Sequence, residues 1–130
     1  MSRFWTNVQP SDVADVFRIL GRADVDNDMA AFALDKVVSH VCNFCHFDLV
    51  PEELETEVLN AAVGEYLNLA WRSGRITVDD AERIAKSITQ GDTSVSFKDY
   101  ETAEERMGAW IRALSVPDSL LVNYRRVKFV

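Results

Sequence analysis

Cys42, Cys45 and His46 stand in the spacing C-x-x-C-H, through which c-type haem is held by two thioether bonds and an axial imidazole. That attachment needs an oxidising compartment and a second axial ligand. The start of the chain, Met1-Ser2-Arg3-Phe4-Trp5, is not a basic-then-apolar export leader, so the expectation is synthesis and folding in a cytoplasm. The motif also falls on a helical apolar stripe, Val37-Val38-Val41-Cys45, where cysteine serves as a small buried hydrophobe. Zinc is the next chemistry these residues suggest, because His40 lies nearby. Yet residues 40 and 42 point to nearly opposite sides of a helix, and a structural zinc site wants a second ligand pair that the chain lacks. A disulfide between Cys42 and Cys45 is disfavoured by helix geometry and compartment. No cofactor or metal is expected.

Carboxylates cluster twice, at Glu52, Glu53, Glu55 and Glu57 and at Glu101, Glu104 and Glu105. Both clusters fall at helix starts, where negative charge meets the positive end of the backbone dipole. Both histidines lie within one helix, which leaves no triad. There is no Gly-rich phosphate loop, nucleophile elbow or H-E-x-x-H. Catalysis is not expected.

The elements that position these residues are mostly helical. Pro10-Ser11-Asp12 opens a helix with Val13, Val16, Phe17 and Leu20 on one face, and Gly21 ends it. Asp26-Asn27-Asp28 offers caps for a helix over about 28–46, whose stripe is Ala30, Leu34, Val37, Val38, Val41 and Cys45. Pro51 suits the first position of a third helix over 51–72, broadly apolar and therefore central, with Gly74 as its C-terminal cap. Asp79-Asp80 can cap a short helix carrying Ala81, Ile84, Ala85 and Ile88. Thr102 with Glu105 forms a capping box for a helix through Met107, Trp110, Ile111 and Leu114. Pro117 stops that helix or starts a last turn. Trp110 is expected in the core, Trp71 in the core or at an interface, and the Phe4-Trp5 pair folded back or docked on a neighbour.

Two segments alternate as strands do: Thr93, Val95 and Phe97 against Ser94, Ser96 and Lys98, and Val127 and Phe129 against Arg126 and Lys128. The expected fold is therefore mainly α, a bundle of four or more helices with a short two-stranded β element at 92–98 and 124–129. Residues 1–130 make one domain, with 123–130 as a basic, β-prone tail. Charge is divided along the same line. Residues 1–124 carry eleven basic and twenty-one acidic side chains, a net −10, whereas the last six carry three basic and no acidic ones. The overall net charge of −7 disfavours an extended phosphate-binding surface, so bound nucleic acid is not expected. No apolar run approaches the roughly 20 residues that span a bilayer.

The order of several short strings adds a family resemblance. Asn43-Phe44-Cys45 ends a helix shortly before Pro51-Glu52-Glu53-Leu54 starts another. Gly91-Asp92 precedes Ser94-Val95-Ser96-Phe97, and the chain closes on Tyr124-Arg125-Arg126-Val127-Lys128-Phe129. In this order they resemble the small head–tail connector (adaptor) proteins of tailed phages and prophages, over about 44–71 and 91–129. The N-terminus is less similar, and 75–90 is longer than the family's usual connection. The resemblance implies a ring of about twelve copies closed by self-contacts at the portal vertex. Such a ring docks on the portal protein, receives a stopper or tail-completion protein, and extends the DNA channel without binding DNA specifically, placing the protein in the virion neck. The residues expected at the interface are Thr93, Val95, Phe97, Tyr124, Arg125, Arg126, Val127, Lys128 and Phe129. The tail either adds to a sheet edge of a partner or pairs with Thr93–Phe97 within one chain. Outside the family, two readings compete: an acidic helical regulatory module with one protein partner, and a c-type haem carrier.

Overall fold

The computed structural model describes residues 6–19, 25–89 and 102–124. They form α1 (Pro10–Ile19), α2 (Asn27–Cys45), a 3-10 turn (Glu52–Leu54), α3 (Glu55–Arg72), α4 (Val78–Thr89), α5 (Ala103–Leu114), α6 (Asp118–Leu121) and a closing 3-10 turn (Val122–Tyr124). The chain is mainly α, and no strand runs through the described residues. The expected β segment at 92–98 and the tail from Arg125 onward lie outside the described residues. Tyr124, expected to open a strand, instead closes the last 3-10 turn. None of the described helices is long and apolar enough to cross a membrane.

Local chemistry sets the helix boundaries. Pro10 occupies the first position of α1, where its missing N–H costs nothing. Asp12 reaches back to accept from the Gln9 N–H at 2.7 Å, and buried Val8 and Val13 bracket the turn in the positions of a hydrophobic staple. Asp26 caps α2 by accepting from the N–H groups of Asp28 and Met29 at 3.0 and 3.1 Å. The hydrogen bond from Met29 does most to hold the Asp26 carboxyl below its ordinary pKa. Burial opposes it, and Arg75, 3.1 Å away, assists. The Tyr66 hydroxyl accepts from the Asp26 N–H at 3.0 Å, tying this cap to the middle of α3.

Two boundaries differ from the sequence reading, and at a third, Pro117, the structure selects one of the two alternatives. Pro51 does not start an α-helix; it precedes a 3-10 turn, and α3 begins at Glu55 after Leu54 adopts φ −102° and ψ 0°. The cap of α4 is Thr77, whose hydroxyl accepts from the Asp80 N–H at 3.2 Å, so Asp79 and Asp80 lie inside the helix. Pro117 starts a turn: its carbonyl accepts from Leu120 and Leu121 as α6 opens. Gly21, expected to end α1, lies outside the described residues, while Thr102 and Gly74 act as expected. Thr102 accepts from the Glu105 N–H at 3.1 Å, and Gly74 follows α3 at φ 78°, a conformation that L side chains rarely adopt.

α3 is central, packing against α2, α5, α1 and α4, with α2 its most extensive partner. Its buried face includes Val58, Ala62, Val63, Leu67 and Ala70. Gly64 lets α5 approach closely, since a Cβ there would lie 3.1 Å from Leu114 Cβ. The stripe of α2 is buried as its spacing requires, with Ala33 and Cys42 added to it, while Asp35, Lys36 and Asn43 face solvent. Trp110 is buried. Trp71 is half-buried against the core, with the Arg72 guanidinium 5.5 Å from its ring centre.

Candidate interaction surface

Of the nine residues expected at an interface, only Tyr124 is described. Thr93, Val95, Phe97, Arg125, Arg126, Val127, Lys128 and Phe129 lie outside the described residues. Tyr124 is half-buried and packs on the core three residues after Leu121, which is fully buried. The chain is therefore still seated on the bundle where the basic tail begins.

The C-x-x-C-H residues point in different directions. Cys42 and Cys45 are buried, and the Cys45 thiol donates to the Leu121 carbonyl at 3.5 Å, joining the end of α2 to α6. His46 is exposed and closes α2 in the left-handed conformation, φ 60° and ψ 40°, its N–H and that of Phe47 both donating to the Cys42 carbonyl. Among the described residues, no three His, Cys, Asp or Glu side chains converge as metal ligands would. Burial, then the neighbouring Cys45 and Asp48, push the Cys42 thiol from 9.0 up to about 11. The folded state therefore favours the protonated thiol. Its contribution to stability is full below pH 9 and falls as pH rises from 9.0 towards 11, where the unfolded chain ionises first. Iodoacetamide at pH 8 should leave Cys42 unmodified in the folded protein and label it only on unfolding, as peptide mass mapping would detect.

Between α2, α3 and α5 runs a groove of about 350 Å³. Its floor is apolar, formed by Val37, Val41, Ala61 and Ile111. Its rim is charged. Lys36 Nζ lies 3.1 Å from Glu65 Oε2 at one side, and His40 Nε2 lies 3.5 Å from Asp118 Oδ1 at the other. Asp118 opens α6, so the last helical turn leaves from the groove's edge. Glu57 lies one and two turns from Ala61 and Glu65 on the same face of α3, an i, i+4, i+8 relation. Its Oε2 is buried and has no hydrogen-bond partner. A buried carboxylate oxygen without a donor is costly.

A second polar cluster ties α4 to α5. Glu82 is the one charged residue among the described ones that is buried, at 6% exposure. One carboxylate oxygen pairs with Arg106, and the other accepts from the Trp110 indole N–H at 3.2 Å. Arg106 also donates to Asp79 at 3.1 Å. The hydrogen bond to Asp79 does most to raise the guanidinium above its ordinary pKa, with burial opposing and Glu82 adding. The cluster joins α4 to α5, the two helices between which residues 90–101 lie in the sequence. Sequence reasoning missed it. Glu82 sits beside the Ala81-Ile84-Ala85 stripe, but its partner is 24 residues away and no local pattern links them.

Comparison with protein-family models, with curated proteins and with solved structures returned no match.

Proposed function

We propose that the chain is a structural connector of a tailed-phage or prophage head–tail junction. It forms a ring at the portal vertex that extends the DNA channel and joins the filled head to a stopper or tail-completion protein. The observation that carries this reading is the order of Asn43-Phe44-Cys45, Pro51-Glu52-Glu53-Leu54, Ser94-Val95-Ser96-Phe97 and Tyr124–Phe129 along one chain. A mainly helical body with a net charge of −10 through residue 124 is compatible with a channel wall that repels passing phosphates. The tail from Arg125 to Phe129 is the docking element. It forms the two-stranded β element with 92–98 in the docked state, its basic residues selecting an acidic portal surface.

Deletion of residues 125–130 tests this reading. Among the described residues the core already includes Leu121, with Tyr124 packed against it, and the shortened protein is expected to remain folded and unfold cooperatively. Particles carrying it should package DNA and then leak it or fail to join tails. Normal infectious titre with the shortened protein would rule out the tail as the docking element.

A further inference from the structure

Phe32 is the most exposed large apolar residue among those described, at 61%. It lies on α2 one turn before Lys36, which lines the groove between α2, α3 and α5. An apolar knob and an apolar hollow therefore stand next to each other on one side of the molecule. Beside them the rim carries both signs of charge, Lys36 on α2 and Glu65 on α3, 3.1 Å apart. A cation and a carboxylate side by side make a patch that is complementary to its own copy after a half rotation.

The register of the two helices sets where such a copy falls. The ion pairs Asp26–Arg75 and Lys36–Glu65, each 3.1 Å, hold α2 and α3 antiparallel and put His40 level with Ala61. Phe32 lies about 6 Å from Lys36 along α2, towards one end of the molecule. Ala61 lies about 6 Å from Glu65 along α3, towards the other end. A half rotation about an axis through the middle of the Lys36–Glu65 pair exchanges α2 with α3. It carries Phe32 of the second copy over Ala61, onto the floor completed by Val41 and Ile111, in a groove of about 350 Å³. The same rotation sets each Lys36 against the other copy's Glu65, so every charge keeps its own partner and gains one of opposite sign. At the rim His40 and Asp118, both exposed and 3.5 Å apart, are held loosely enough to part for an entering ring.

We propose that the free chain pairs with a second copy of itself through this face, Phe32 of each copy filling the groove of the other. The contact is two-fold and closes on itself, so it makes pairs and does not by itself build a larger ring. It stands independently of the connector reading, and the purified protein alone tests it.

The test is sedimentation equilibrium of the purified full-length protein from about 1 to about 200 µM, a range that brackets the affinities of small interfaces. The expected result is a monomer–dimer equilibrium. Phe32→Ser should raise the dimer Kd at least about tenfold, the effect of losing one buried anchor, with the circular dichroism unchanged. The same change at Leu49, exposed in the turn after α2, should leave the Kd as it is. Lys36→Glu places only carboxylates around the axis and Glu65→Lys only lysines, so each variant should be monomeric alone. Mixed in equal parts, the two should pair one to one. Four results would overturn the proposal: a monomer at every concentration, which would leave the groove to a different protein; species larger than a dimer; a dimer indifferent to Phe32→Ser; or a mixture no more associated than its components. None of these touches docking on the portal, which the particle experiment on the tail deletion tests, so the two failures are told apart.

Discussion

Glu82→Ala should lower folding stability by about 3 kcal/mol, at the low end of the range for removing one partner of a buried ion pair. Glu82 is buried and bonded through both oxygens, so its loss removes an acceptor from two donors, the Arg106 guanidinium and the Trp110 indole N–H. Two features hold the cost at the low end. Arg106 keeps Asp79 as a partner, and its side chain is 30% exposed, so part of the charge recovers water. Glu82→Gln should cost less, because an amide oxygen can still accept from Trp110. Replacing Glu82 and Arg106 together by methionine should recover most of the loss, since a well-packed apolar pair often matches a buried ion pair. Urea unfolding midpoints of Glu82→Met, Arg106→Met and the double variant check this. Additive losses in the double variant would mean that the pair is not coupled.

Gly64→Val should be similarly severe, about 3 kcal/mol, by overpacking the contact between α3 and α5. A Cβ at this position already meets Leu114 Cβ at 3.1 Å, and the two methyl groups of valine extend the clash into a buried contact. Gly64→Ala separates the two opposing effects. Alanine gains up to about 1 kcal/mol in helix propensity over glycine, and the 3.1 Å contact removes a similar amount, so the change should be close to neutral. Thermal unfolding of both variants is the measurement. A neutral Gly64→Val would show that α5 moves away from α3 without cost.

The parts of this fold legible in the sequence are those fixed by near neighbours along the chain. Asp26, Thr102 and Gly74 act within a few residues of the groups they cap, and the α2 and α3 stripes follow from periodicity, so both were readable. At Pro51 and Asp79-Asp80 two local solutions compete. A proline followed by glutamates suits either an α start or a 3-10 turn. Thr77 precedes the aspartates and takes the cap from them. The Glu82 pair, the groove and the unpartnered Glu57 oxygen depend on helices brought together from distant positions, and no spacing rule carries that information. The C-x-x-C-H string shows the converse. It is a conspicuous local pattern, yet both sulfurs are buried and His46 faces outward at a helix end.

The central claim, that this chain is a ring-forming connector docked through its tail, is tested most directly by native mass spectrometry. The full-length protein would be co-expressed with the portal protein from the same genome. The account predicts one complex in which the connector is present in multiple copies matched to the portal ring, formed by the full chain and lost when residues 125–130 are removed. A connector that stays monomeric beside an intact portal ring, or binds it equally well without its tail, would contradict the account.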